Sequence, residues 1–355
     1  MFEELGFDGW TPLQAAVVFG LGIGVLFGAL AQRSRFCLRR GLVGEGAGDR
    51  ARALALWVVA LAVATLGVQG AAALGLIGLG ETRFVTETVA LVPILAGGLM
   101  FGAGMVLSRG CASRLTVLAA SGNMRAAACV VVFAIAAHAT MKGALNFIPQ
   151  ALSGGDWTPT APALDAALGV SPWLIAGALA VLAVVLAVRS GARIGTLAMG
   201  AAIGALIPLA WVGTGLVLAD EFDPIAFESL AFTRPAAEAL FWAIAGTAIP
   251  AGFGVGFMGG VLAGAHLAAR AARELSFASF ASAPQTARYI SGAALMGVGG
   301  VMAGGCTVGA GLAGVPTLGL SAIAALAAIA AGALATHGAL RTLGRGTNMA
   351  AIPAE

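Results

Sequence analysis

The hydrophobic pattern of this chain consists of long stretches almost free of charge, separated by short polar segments rich in arginine. Such stretches occupy residues 11–32, 53–80, 88–108, 126–141, 171–188, 194–219, 239–269 and 289–340. About 20 apolar residues suffice to cross the hydrocarbon core of a bilayer as a helix. The last stretch has 52 residues, enough for two crossings, and the glycines around Cys306 with Pro316 mark the break between them. The pattern therefore predicts an all-α polytopic membrane protein with nine transmembrane helices. The longest polar connection, 149–170, is read as an external loop joining two pseudo-repeat halves, 1–150 and 171–345, of a single domain over 1–355.

Composition agrees with that pattern and narrows it. Hydrophobic residues make up 59% of the chain and charged residues only 10%, against roughly 25% charged in a soluble domain. A water-soluble enzyme or secreted domain is excluded, and the bilayer is the first partner implied; nothing points to nucleic acid. The 53 glycines fit closely packed membrane helices with interrupted segments. The four cysteines form no CxxC pair and no zinc spacing, so neither a disulfide scaffold nor a metal site is expected, and no cofactor is implied.

Charge placement orients the spans. With the N-terminus outside and the sides alternating, 16 of the 19 basic residues fall on the inner side, leaving Arg83, Lys142 and Arg234 outside. The acidic residues Glu3, Glu4, Asp8, Asp156, Asp165, Asp220, Glu221 and Asp223 lie mostly opposite. The expectation is N-terminus out and C-terminus in. The acidic start lacks the positive n-region of a signal peptide, so the first apolar stretch is expected to remain as a helix.

An internal repeat is the most specific signal. Phe27-Gly28-Ala29 and Ser34-Arg35-Phe36-Cys37 match Phe101-Gly102-Ala103 and Ser108-Arg109-Gly110-Cys111, with Gly24 on Gly98 and Arg40 on Arg114. The shared pattern is G-x3-G-A-x4-S-R-x-C-x2-R. A second, shorter pair aligns 260–266 with 300–306 and places His266 where the other copy has Cys306. Repeats in transporters bring broken helices together near the bilayer midplane, where substrate sites form.

Cys37, Cys111 and Cys306 each follow a glycine-bearing helix and precede an apolar stretch too short to span. Irregular backbone at membrane depth must line a cavity or be buried in protein. A helix restarting after each cysteine offers free N–H groups and a positive dipole end. Arg35, Arg109, Arg40 and Arg114 add positive charge. Thiol, helix N-terminus and guanidinium together point to a path for a small, polarisable anion. Cys129, inside an uninterrupted apolar run, reads as packing. Arg39, Arg50 and Arg52 read as anchors on the positive side; for Arg35 and Arg109 anchoring and function both stay open. His266 reads either as a fourth copy of the site or as a polar group at an inner helix end. His138, with Lys142 four residues on, is an ionisable residue in a span and reads as facing a pathway, though Lys142 can also snorkel outward. The six tryptophans lie mostly near span ends and read as interfacial belt residues.

At SRFCLRRG (34–41), SRGCASRL (108–115) and AGGCTVGAGLAG (303–314) the chain resembles the YeeE/YedE family of bacterial sulphur-transport membrane proteins. The resemblance implies an inner-membrane importer of thiosulfate or a related sulphur anion. In that family three cysteines hand the anion along a central path by transient S–H contacts; by motif these are Cys37, Cys111 and Cys306, with Thr307 following the last. The chain departs from the family's usual T-S-G-H-G after the third cysteine, where it reads Thr307-Val308-Gly309-Ala310-Gly311. No sulphur-carrier domain is expected in the ten residues after Arg345, so a soluble sulphur acceptor would be a separate chain.

Two other classes stay open at this level: a membrane sulphur-transferase or redox protein forming a persulphide on the same cysteines, and a channel for another small solute. No P-loop is present, Lys142 being the sole lysine, so this chain does not hydrolyse ATP through that motif. Acids suited to a proton relay are nearly absent from the spans, Glu238 lying at a span end. Facilitated diffusion is the resulting expectation.

Overall fold

The computed structural model describes residues 9–346 apart from 45, 87, 154, 155, 160, 221 and 222. Glu3, Glu4, Asp8 and Glu221, and the side chains of Asp156 and Arg345, lie outside the described residues. The first half holds α1 (Pro12–Ser34), α2 (Leu38–Val43), α3 (Ala47–Ala73), α4 (Leu91–Leu107), α5 (Ala112–Ala120) and α6 (Met124–Lys142). The short α7 (Phe147–Leu152) and α8 (Leu164–Leu168) occupy the connection between halves. The second half holds α9 (Pro172–Ser190), α10 (Ile194–Val212), α11 (Thr233–Ala245), α12 (Phe253–Ala271), α13 (Ala283–Met302) and α14 (Leu320–Gly346). A π-helical turn, Thr307–Gly314, lies between α13 and α14. The protein is an all-α polytopic membrane protein.

Local sequence sets the helix starts. Thr11 accepts the N–H of Gln14 while the Gln14 side chain returns to the N–H of Thr11, and Pro12 opens α1. Asn123 and Ser282 cap α6 and α13 in the simpler one-way form. Among the described residues, eight helical segments are long and apolar enough to cross a membrane. The stretch 239–269, expected as one crossing, is divided: α11 stops at Ala245, and α12 begins at Phe253, beyond Pro250 and Gly252. Proline lacks the N–H that would continue the helix. The 19 residues of α12 are diluted by glycines, His266 and Arg270, yet the helix is as long as α6 or α9.

Glycine contacts fix the directions. On α1, Gly20, Gly24 and Gly28 lie against Phe253, Phe257 and Val261 of α12, so the two helices run parallel. Gly98 and Gly102 of α4 meet Ala325 and Ile329 of α14, again parallel, whereas Gly97 and Gly104 meet Gly299 and Gly292 of α13 in antiparallel order. α10 runs parallel to α3, with Gly200 on Leu56 and Gly204 on Ala60, and α13 runs antiparallel to α4, so α10 and α13 point the same way and α12 must traverse between them. The two halves therefore interleave, each supplying helices to both sides of the core. The face where α1, α4, α12 and α14 begin is called upper below. The connection between halves folds over it: Val89 pairs with Trp157 in a two-residue antiparallel ladder, and the Leu164 N–H donates to the Leu318 carbonyl at 2.8 Å.

The packing between α1 and α12 is backbone on backbone. A methyl added to Gly256, Gly260 or Gly264 would overlap the carbonyl oxygens of Val17, Leu21 and Val25, and one on Gly24 or Gly28 would overlap those of Phe257 and Val261. Small residues at this spacing are what lets membrane helices approach so closely. Gly260→Ala is expected to lower stability by about 1–3 kcal/mol through overpacking. Gly259→Ala, where an added methyl meets nothing within 4 Å, should leave it unchanged; thermal unfolding in detergent micelles compares the two.

Candidate functional site: three cysteine-bearing helix breaks

The duplicated sequence becomes a duplicated backbone. α1 ends at Ser34, Arg35 adopts a left-handed conformation (φ 54°, ψ 44°), Cys37 is extended, and α2 starts at Leu38. α4 ends at Leu107, Arg109 is left-handed (φ 58°), Cys111 is extended, and α5 starts at Ala112. The third break follows the same rule with a different residue: Gly304 (φ 70°) stands two before Cys306, which caps the turn Thr307–Gly314. Glycine takes that conformation freely, whereas Arg35 and Arg109 take it against a penalty of about 1–2 kcal/mol. In return, each arginine lies at the negative end of a long helix. Arg35 is exposed and Arg109 half-buried.

Cys37 and Cys111 converge: their sulfurs are 3.9 Å apart, and both residues are buried. Cys111 Sγ also lies 3.2 Å from Ser113 Oγ. The N–H groups of Arg40 and Arg114 are directed toward the two thiols from the first turns of α2 and α5. At Cys306 the equivalent relation closes into a hydrogen bond, the Gly309 N–H donating to Sγ at 3.3 Å. The two repeat-related guanidiniums differ. Arg40 is taken up by Asp49, with Nε donating to Oδ2 at 2.7 Å and Nη2 pairing with Oδ1. Arg114 has no ion-pair partner among the described residues, and its Nη1 is buried without a hydrogen bond. One strong, uncommitted donor therefore stands beside the thiol pair.

The turn that follows Cys306 is packed by two tryptophans. Trp57 of α3 packs against Gly311, and Trp211 of α10 donates its indole N–H to the Ala313 carbonyl at 3.3 Å. Both tryptophans are buried, which corrects their reading as belt residues; Trp10, Trp157, Trp173 and Trp242 are exposed. Above this turn, Arg83, Arg234, Glu228, Ser229 and Trp211 line a narrow cleft. The Thr214 hydroxyl pins the loop that carries Glu228, donating to the Glu228 carbonyl at 2.6 Å and accepting its N–H at 3.2 Å. Arg234 is paired with Glu238 one turn along α11. Burial pushes the Glu228 carboxyl up to about 7, Glu238 adding to the effect while Arg234 and Arg83 oppose it. Arg83 and Arg234, which in the sequence are merely exceptions to the positive side, are the cations of this cleft. Their convergence was not legible, since one precedes α4 and the other opens α11.

The thiols occupy two levels. On α13, Met302 lies against Gly97 of α4, and Gly292 lies against Ser108. Those positions on α13 are about 15 Å apart at 1.5 Å rise per residue. Cys306 follows Met302, and Cys111 follows Ser108. Between the levels sit Phe27, Phe101, Phe232 and Phe257, all fully buried. The Phe27 ring centroid is 5.4 Å from that of Phe232 and 5.9 Å from that of Phe257. Phe27 and Phe101 are the phenylalanines of the repeated Phe-Gly-Ala. An aromatic layer thus separates the upper thiol from the lower pair.

Residues 33–335 match the model of a family described as Sulphur transport. The chain belongs to the sulphur-transport family. Among curated relatives, the thiosulfate transporter TsuA of Spirochaeta thermophila is 28% identical over 330 residues, covering 85% of this chain and 92% of the relative. The thiosulfate transporter TsuA of Escherichia coli is 24% identical over 322 residues, covering 83% and 86%.

Within this sulphur-transport chain the remaining sequence-marked residues fall as follows. Thr307 is buried as the first residue of the turn that Cys306 caps. His266 does not stand at a break: α12 continues past it to Ala271, its ring is exposed, and Nδ1 lies 3.0 Å from the Ala120 carbonyl oxygen at the end of α5. The left-handed residue after α12 is Arg273 (φ 56°), so Leu275 holds the place that cysteine holds in the other three breaks. His138 is stacked on Phe241 with centroids 4.7 Å apart, and Lys142 is the exposed last residue of α6. Cys129 is buried on α6 with its thiol 3.6 Å from the Tyr289 carbonyl oxygen, a packing position.

The proximity of Cys37 and Cys111 makes a direct expectation. Mild oxidation with copper phenanthroline should join them, so that alkylation after unfolding counts two free thiols instead of four. Peptide mapping should then find Cys129 and Cys306 still alkylated.

Proposed function

We propose that this protein imports thiosulfate, or a closely related sulphur dianion, along a path running from the cleft of Arg83 and Arg234 past Cys306 to the pair Cys37–Cys111. The carrying observation is the convergence of Cys37 and Cys111 from two equivalent breaks beside a guanidinium, Arg114, that has no ion-pair partner among the described residues. Two relatives named thiosulfate transporters, aligned over most of their length, support the choice of anion. The upper face is the outer face of a bacterial plasma membrane, with the N-terminus outside and the C-terminus in the cytoplasm; the arginine asymmetry supports this orientation.

The chemistry follows from what each layer offers. In the cleft, two guanidiniums draw a dianion from solution, because charge-assisted hydrogen bonds to oxyanions are short and strong. At Cys306 and at the lower pair, thiols donate weak hydrogen bonds, which hold the anion without trapping it. Arg114 compensates its charge at the deeper level, where an unpaired ion is most costly. Arg35 and Arg109, at the lower ends of α1 and α4, carry positive charge to the exit. Downstream consumption of the sulphur, by a soluble acceptor on a separate chain, would drive net flow. Both halves act as one transport domain, since each thiol level is built from helices of both.

Alanine at Cys37, Cys111 or Cys306 should reduce thiosulfate uptake at least tenfold, while Cys129→Ala should transport normally. Growth with thiosulfate as the sole sulphur source, complemented by each variant, checks this, and normal growth of the triple variant would sink the path. Mass spectrometry after substrate exposure serves as a control for the enzyme reading, since a stable persulphide on any thiol would favour it.

The Glu228 carboxyl predicts a pH dependence. Above about pH 7 it is ionised and offsets Arg83 and Arg234; below, it is neutral and the cleft becomes more positive. The apparent KM for thiosulfate should therefore fall as external pH drops from 8 to 6. Glu228→Gln should hold the low-pH value throughout.

A further inference from the structure

The separation of the thiol levels leaves a stretch with no thiol in it. Cys306 and the Cys37–Cys111 pair lie at levels marked by α13 positions about 15 Å apart along the helix. One small anion cannot touch both. Between the flanking positions, the side chains that meet are chiefly aromatic and thioether groups: Phe27, Phe101, Phe232, Phe257, Met105 and Met296, all fully buried. None of them is a good hydrogen-bond donor to an oxyanion. A dianion crossing this stretch unaided would lose its solvation with nothing in return.

One polar side chain in the stretch has no partner of its own. Thr233, the first residue of α11, is 4% exposed, and its hydroxyl is buried without a hydrogen bond among the described residues. It lies against Gly300 of α13 and beside the Phe101 ring; a methyl added to Gly300 would stand 2.9 Å from Thr233 Oγ1 and 3.2 Å from Phe101 Cδ2. Gly300 falls between Gly292 and Met302, so the hydroxyl is at the level of the aromatic layer. Most threonines in membrane helices return their hydroxyl to a carbonyl one turn back, as Thr65, Thr116 and Thr140 do here. Thr233 has no such preceding turn, because the helix begins with it. The first-turn N–H groups of α11 likewise have no acceptor within the helix. An orphaned buried hydroxyl costs free energy that an apolar isostere would avoid.

We propose that Thr233 is the intermediate station of the path: its O–H donates to an oxygen of the sulphur anion between release from Cys306 and capture at Cys37–Cys111. This rests on the transport reading above and adds a residue to it. The hydroxyl provides the hydrogen bond that the aromatic layer lacks, and its lack of an internal partner leaves it free to do so.

The test compares Thr233→Val, which keeps the shape and removes the hydroxyl, with Thr233→Ser, which keeps the hydroxyl. Uptake of sulphur-35 thiosulfate into proteoliposomes is measured with protein recovered as a monodisperse peak. Val is expected to lower the maximal rate at least tenfold, with the apparent KM changed less than twofold because the entry cleft is intact. Ser should retain more than half of the wild-type rate. Thermal stability of the Val variant should equal or exceed that of wild type, which separates a transport role from a structural one. If the Val variant is not recovered folded, Thr233→Ala is judged by the same thresholds. A wild-type rate in the recovered hydroxyl-less variant overturns the station while leaving the importer standing. Absence of thiosulfate uptake by the wild-type protein overturns the importer itself.

Discussion

Close approach of helix backbones is the constraint from which the rest follows. The stripe Gly20, Gly24, Gly28 on α1 and the stripe Gly256, Gly260, Gly264 on α12 leave no room for side chains between two helices. The same device, in Gly97, Gly98, Gly102 and Gly104, seats α4 between α13 and α14. Lipid tails are as apolar as leucine, so burial of apolar surface does not drive such association in a bilayer; packing does. Because the helices touch along their backbones, their broken ends are brought to one axis. The two Ser-Arg-x-Cys breaks can then meet with sulfurs 3.9 Å apart.

Much of this was legible. Gly24 and Gly28 in one copy and Gly98 and Gly102 in the other belong to the repeat that located the breaks, and the arginine two residues before each cysteine proved to be the left-handed residue. The third break was legible only as a cysteine among glycines; that Gly304 stands in for Arg35 and Arg109 is a statement about backbone angle, which side-chain matching does not carry. The shorter alignment that set His266 against Cys306 followed glycine and alanine spacing alone. Such spacing also occurs in α12 for packing against α1, so it did not mark a break. The division of 239–269 by Pro250 and Gly252 was visible as composition but was outweighed by the continuous apolar run.

Other features lay beyond any local reading. Arg83 and Arg234 come from segments far apart in sequence and meet only because the loop carrying Glu228 folds inward over the Cys306 turn. Trp57 and Trp211 sit at positions along their helices that cannot be told from interfacial ones without knowing what the Thr307–Gly314 turn packs on. Divergence between copies was equally hidden. Arg40 and Arg114 are identical in the repeat, yet Asp49 at the start of α3 neutralises one, and the segment after α5 offers no such acid. A symmetric sequence thus gives an asymmetric charge beside the thiol pair.

Interleaving of the halves also bears on how the bundle is made. The glycine face of α1 is complete once Ser34 has been synthesised, but its partner α12 begins only at Phe253. Roughly two hundred residues of later helices enter the membrane while that face waits, a long sequence separation of the kind that slows assembly. During that interval the unpaired stripe exposes backbone carbonyls to lipid, and any other glycine-lined helix could dock there. The close backbone packing of α1 on α12 and of α4 on α14 is therefore complete only after the second half of the chain has been made.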